Sequence, residues 1–216
     1  MPEAPPSADR GTSYGQADPG LRPANADDMN HLTSVLAKAF LDDPVFGWLM
    51  PDDRRREARL RRFFALELRH MGPPRGGVFT TSERTGAVIV MPPRAWRSPL
   101  QATLMEGSAF GVYLWRAARL GAAMEWHHTR GVRESHYYVR DVGVLPRVQG
   151  QGIGSSLLGM VLDRCDREGL PAYLEASSER NAVLYERLGF HVTRELRVFG
   201  SPPLRLMLRP PKPSDG

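Results

Sequence analysis

Apolar residues recur at helical spacing through the first half of the chain, and strand-like and helix-like runs alternate through the second. Met29, Leu32, Val35, Leu36 and Phe40 fall on one face of a helix that Asp27 or Asp28 would cap, and Asp42-Asp43-Pro44 is expected to end it. A second helix is expected over residues 53–71, with Leu60, Phe63, Phe64 and Leu68 on one side. Leu21-Arg22-Pro23 reads as a short first strand. Residues 77–81 and 85–91 read as two strands joined by the polar turn Ser82-Glu83-Arg84. Residues 99–128 carry a helical pattern that Gly107, Gly111 and Gly121 are expected to break or bend. From His136 the order is strand (136–144), helix (152–168), strand (172–176), helix (179–188), then strands at 190–198 and 204–208. This is the pattern of an α/β protein.

Composition narrows the class without naming a function. Residues 1–20 are rich in Pro, Gly, Ser and Ala and lack apolar periodicity, so a disordered tail is expected there, with a second loose end over residues 210–216. No linker interrupts residues 21–209, which are read as one domain. No stretch is apolar enough for a membrane span, and the opening Met1-Pro-Glu-Ala-Pro-Pro lacks the basic and apolar runs of a signal peptide. A single cysteine, Cys165, on the apolar face of its helix, excludes a disulfide framework and reads as core. A cytoplasmic protein follows as the expectation.

The net charge of +5 and the pI near 9.8 would suit a nucleic acid or an anionic small ligand. The basic residues are nearly all arginine and are dispersed. The densest run, Arg54 to Arg62, lies on an expected helix with acids interspersed and reads as a solvated face, and no nucleic-acid reader motif is present. His127, His128 and His136 lack the carboxylate or cysteine that would complete a metal site. His31, His70 and His191 are isolated. Neither a metal, nor nucleic acid, nor a membrane is expected as a partner.

The most informative stretch runs from Val142 to Ser155. A strand ends at Pro146, a turn supplies Gly150, Gly152 and Gly154, and a helix begins with Ile153, Leu157, Leu158, Val161 and Leu162 on its buried face. Backbone N–H groups exposed by glycines at a helix N-terminus suit an anion or a phosphate. The P-loop does not fit, because no lysine follows the glycines. The dinucleotide fingerprint does not fit either, because Ser155 stands where its third glycine belongs.

What remains is Gln-x-x-Gly-x-Gly, as Gln149, Gly152 and Gly154, followed by Asn181-Ala182-Val183-Leu184-Tyr185-Glu186-Arg187-Leu188-Gly189-Phe190. Together these resemble the GCN5-related N-acetyltransferase (GNAT) superfamily over about residues 22–209, strongly from His136 onward. The stretch Leu174-Glu175-Ala176-Ser177 with the Asn181 to Phe190 run is especially similar to actinobacterial antibiotic acetyltransferases of the puromycin N-acetyltransferase type. The resemblance implies a mixed, splayed central sheet of about six to seven strands flanked by helices. It also implies acetyl-coenzyme A as co-substrate. Gln149, Gly150, Gln151, Gly152, Ile153, Gly154 and Ser155 would hold its pyrophosphate, Val142, Gly143 and Val144 its pantetheine arm, and Asn181 would contact it further along. Tyr185 would sit near its sulfur.

Moving an acetyl group from a thioester to an amine needs a group that takes a proton from the amine and another that protonates the leaving sulfur. Tyr185 is the candidate acid. Glu175, near the end of the apolar run Ala172-Tyr173-Leu174, is the candidate base, because burial there would raise its pKa. Asp141 is the alternative. Regular alternation would put Tyr138, Arg140 and Val142 on one face of the strand and Asp141 on the other. The acceptor would be a small-molecule amine, with Phe46, Trp48, Trp96, Phe110, Tyr113 and Trp115 as pocket material, and the chain a monomer or homodimer. A protein lysine or N-terminus as acceptor, or an acyl-coenzyme A-binding module without catalysis, are the competing readings.

Overall fold

One sheet organises the chain. The computed structural model describes residues 20–71, 77–95 and 107–213. Its seven strands are β1 (Arg22–Pro23), β2 (Val78–Thr80), β3 (Gly86–Met91), β4 (Tyr137–Val144), β5 (Ala172–Ala176), β6 (His191–Leu196) and β7 (Leu204–Arg209). They lie in the order β1-β2-β3-β4-β5-β7-β6. Every pairing is antiparallel except β4 with β5. The expected mixed α/β sheet is therefore present, with the final strand inserted between β5 and β6. Trp96, the helical pattern over 99–106 and both outer ends (residues 1–19 and 214–216) lie outside the described residues.

Six helices cover the two faces among the described residues: α1 (Met29–Ala39), α2 (Pro44–Leu49), α3 (Asp53–Met71), α4 (Leu114–Gly131), α5 (Ile153–Glu168) and α6 (Glu179–Arg187). Leu32 and Leu36 of α1, Leu60 and Phe64 of α3 and Leu120 of α4 pack with Ile89 and Tyr173 on one face. Leu157, Leu158 and Val161 of α5 and Tyr185 of α6 pack with Val88, Val139 and Leu174 on the other. Each fully buried Leu or Phe contributes about 1.5–3 kcal/mol by leaving water, so these two layers are the main favourable term. A methyl group added at Gly143 would come within 2.7 Å of Leu36, so the bare glycine lets α1 lie directly on β4.

Three expectations need correction. Asp42-Asp43-Pro44 ends α1 but also begins α2: Asp43 is its N-cap, accepting from Val45 N at 2.9 Å and Phe46 N at 3.0 Å, and Pro44 fills the first position. Gly121 lies inside an unbroken α4, whereas Gly111, with φ +56°, makes a kink within the 3-10 segment Ser108–Tyr113 that precedes α4. Regular alternation also fails in β4. Ile89 pairs with Asp141 but Val90 with Val139, so Arg140 is an extra residue in the ladder. Before this bulge Tyr138 faces the α1–α3 layer. After it Gly143 faces α1, and Val142 joins the α5–α6 layer instead of sharing the face of Tyr138.

Candidate active site

The parallel pairing of β4 with β5 is short. Tyr137 pairs with Ala172 and Tyr138 with Tyr173, after which the strands part. The gap is a cleft lined by Phe40, Arg140, Asp141, Val142, Leu174, Glu175, Ser177, Asn181 and Tyr185. Two candidate bases, the candidate acid and the candidate cofactor residues Val142 and Asn181 thus meet in one opening.

Glu175 shares its strand face with Tyr173, which packs in the α1–α3 layer. Burial pushes its carboxyl up to about 7, against the pull of the Tyr138 and Tyr173 phenols and of Arg140, which favour the charged form. Part of the residue remains reachable from the cleft. Behind it, Tyr138 and Tyr173 are themselves buried, and loss of water raises both phenols above their usual range. Arg140 is held by the fully buried Glu67 of α3, a partner that the sequence reading missed.

Tyr185 approaches the same cleft from the α5–α6 layer, its ring 6.0 Å from that of Phe190. Burial, then the charges of Asp141 and Asp43, raise its phenol well above the ordinary value, so it stays protonated through the neutral range. Asp43 was not anticipated. Its carboxyl caps α2, accepts the Ser177 hydroxyl, and is itself raised by burial. The dipeptide Asp-Pro before an apolar run was the available signal for it.

The glycine turn lies beyond the C-terminal end of β4. Gly150 and Gly152 both adopt φ +82°, a backbone conformation that side chains disfavour. Gly152 is the N-cap of α5, and it supplies no side-chain cap to the first-turn amides. Asp43 and Ser178 do supply that bond to α2 and α6. Ser156 N bonds Gly152 O at 2.9 Å, so the amides of Ile153, Gly154 and Ser155 precede the regular helix ladder. Gln149 folds back, its Nε2 donating to Val144 O at 3.0 Å, and ties the turn to the strand end. A methyl group on Gly154 would meet Val144 Cγ2 at 3.6 Å, so that glycine faces the strand. The backbone N–H groups at this helix start are of the kind that suits a phosphate or pyrophosphate.

The profile of the Acetyltransferase (GNAT) family matches residues 100–190, which span this turn and most of the cleft. Over this stretch the chain is similar to GNAT acetyltransferases. Among solved structures, the crystal structure of histone acetyltransferase HPA2 and related acetyltransferase from Corynebacterium glutamicum is similar over 91% of this chain and 98% of its own. Its TM-score is 0.68 and its identity 26%. A Drosophila melanogaster polyamine N-acetyltransferase, which forms N-acetylagmatine, shares the fold at TM-score 0.56 and 18% identity, over 88% of this chain and 98% of its own. An uncharacterized N-acetyltransferase of Schizosaccharomyces pombe is 37% identical over 87 residues, 37% of this chain. That alignment spans about a third of the yeast protein's length (34%).

The other candidates divide. Phe46 and Phe110 belong to a chain of ring contacts that runs from Phe40 through Phe46 and Phe63 to Phe110, at 5.4 to 5.6 Å. Trp48, Tyr113 and Trp115 instead gather around the Arg116 guanidinium, each within 5.4 Å. Cys165 is buried, and its thiol is pushed up to about 12. His128 and His136 do meet, Nε2 to Nε2 at 2.7 Å, and His128 stacks on Tyr173 at 4.2 Å. Among the described residues, no three metal-ligating side chains cluster, and no helix is long and apolar enough to cross a membrane.

Proposed function

We propose that this protein transfers the acetyl group of acetyl-coenzyme A to the amine of a small molecule, with Glu175 as base and Tyr185 as acid. The observation that carries this reading is that β4 lines a cleft holding both a carboxyl raised to about 7 and a buried phenol, and runs on at its C-terminal end into an uncapped helix start at Gly152. When bound, acetyl-coenzyme A supplies the activated acetyl group. The amine nitrogen forms the new bond to the carbonyl carbon as the carbon–sulfur bond breaks.

Glu175 takes the proton that the amine releases, directly or through a water. A carboxyl near 7 is partly ionised at neutral pH and still basic enough to accept. Tyr185 holds its proton at the sulfur end. Burial makes phenolate costly, but the same dry and negative surroundings make a departing thiolate more basic, so the proton is drawn toward it. Backbone N–H groups of β4 near Val142 would bond the carbonyl oxygen as it gains charge.

Small amines are favoured as acceptors because the cleft lined by Phe40, Glu175 and Tyr185 is small, which leaves a protein lysine as the second reading. Puromycin is included among the acceptors because the Leu174 to Ser177 stretch resembles enzymes that act on it. The test is free-thiol release from acetyl-coenzyme A across puromycin, agmatine, tryptamine, an aminoglycoside and a lysine peptide. Amine-dependent release matched by an N-acetylated product is expected for one small amine. Release with the peptide alone would favour the second reading.

A further inference from the structure

We propose that the Asp43–Ser177 hydrogen bond is a latch that seats the acceptor side of the cleft against the segment carrying Tyr185, and so sets the affinity for the amine. Asp43 and Ser177 are therefore positioning residues. The two are 134 positions apart in sequence, and their bond joins the α1–α2 corner to the β5–α6 corner.

Each end of the latch is anchored. At one end, Asp43 Oδ1 accepts two backbone N–H groups of α2, while its Oδ2 takes the Ser177 hydroxyl. The carboxylate therefore fixes the orientation of α2. That helix carries Phe46, whose ring packs edge-on against Phe40, a wall of the cleft, at 5.4 Å. At the other end, Ser177 directly precedes Ser178, the residue that caps α6 through Asn181 N, and α6 places Asn181 and Tyr185 in the same cleft.

The bond has a hydroxyl donor and a half-buried carboxylate acceptor, a combination stronger than a neutral pair. Without the Ser177 hydroxyl, the carboxylate still caps α2 but no longer ties it to β5. The wall formed by Phe40 and Phe46 is then free to move relative to Tyr185. The glycine turn and α5 take no part in the bond, and α6 keeps its own cap at Ser178, so the acetyl-coenzyme A end is left in place.

This inference rests on the acetyl-transfer reading for its kinetic arm, but not for its second arm. In the full chain, Ser177→Ala should raise the KM of the best amine in the panel roughly 10-fold, the scale of one lost hydrogen bond to a charged group. The acetyl-coenzyme A Kd by calorimetry and kcat should both stay within about 2-fold, and Ser177→Thr, which keeps the hydroxyl, should restore the amine KM. An unchanged amine KM in Ser177→Ala, or a parallel rise in the acetyl-coenzyme A Kd, would overturn the latch. The second arm is hydrogen exchange at the Val45 and Phe46 amides, which needs no turnover. Faster exchange there in Ser177→Ala supports the latch, even in a chain that releases no thiol; that combination overturns acetyl transfer instead. Unchanged exchange overturns the latch whatever the activity.

Discussion

Glu175 and Tyr185 come from opposite faces of the sheet and open into one cleft, where β4 and β5 part after the Tyr138–Tyr173 pair. The separation assigns them different surroundings. Glu175 is bordered by phenols and by Arg140, which favour its charged form, whereas Tyr185 is bordered by Asp141 and Asp43, which oppose its ionisation. A carboxyl that ionises near neutrality and a phenol that stays protonated follow from that arrangement.

The base sets the acid limb of the pH profile. Burial raises Glu175 to about 7, so kcat/KM should climb as pH rises through about 7 and this carboxyl ionises. Glu175→Gln keeps the shape but takes no proton. Its activity should be lowest near neutral pH and should recover at high pH, where the amine arrives already deprotonated. Parallel profiles for the two proteins would remove Glu175 as the base and turn attention to Asp141.

Tyr185→Phe removes one hydroxyl from a ring held by Phe190. The ring should still pack and acetyl-coenzyme A should still bind. Turnover should fall roughly 10²–10⁴-fold, as for a positioned acid, with little change in the KM for acetyl-coenzyme A. Unlike the Glu175→Gln defect, this one should persist at high pH. Near-normal kcat in steady-state assays would mean that solvent protonates the sulfur.

The histidine pair predicts a stability effect away from the chemistry. His136 Nδ1 lies 2.7 Å from the Glu134 carbonyl, which can only accept, so that nitrogen carries the proton. Its Nε2 then accepts from His128 Nε2, an arrangement available only to neutral His136. Burial lowers the His136 pKa, against the Glu134 bond, so the fold favours the neutral ring. Its contribution is therefore full above the ordinary histidine value of about 6.5 and is lost as pH falls below it. Thermal melts from pH 7.5 to 5 should show Tm declining more steeply in the wild-type chain than in His136→Gln. Equal slopes would contradict the assigned proton positions.

Much of this was legible in the sequence, for physical reasons that differ by element. The α1 and α3 stripes, the β5–α6 alternation and the glycine turn each carry a local signature, in apolar period, cap or backbone requirement. The bulge at Arg140 carries none: the slip belongs to the β3–β4 ladder, so two-residue alternation misplaced Val142. Glu67 was invisible for a related reason. On its helix it reads as one more acid among arginines, and only tertiary packing buries it against Arg140. Asp43-Pro44 is a stop signal for α1 and a start signal for α2 at once, and the sequence pattern displays only the first plainly. Within the site, Glu175 and Tyr185 came from motif and burial pattern, whereas Ser177 needed the fold to bring it to Asp43.

The central claim is that the turn at Gly152 holds acetyl-coenzyme A by its backbone. Calorimetric titration of acetyl-coenzyme A into the wild-type chain and Gly152→Val tests it most directly. Gly152 has φ +82°, so valine strains the turn and costs on the order of 1–2 kcal/mol of stability in the free protein, measurable separately by thermal melts. The account predicts saturable binding to the wild-type chain and at least about a 100-fold weaker Kd in the variant, more than that strain alone would produce if the turn were remote from the ligand. Equal affinity in the two proteins, or no binding to the wild-type chain, would contradict it.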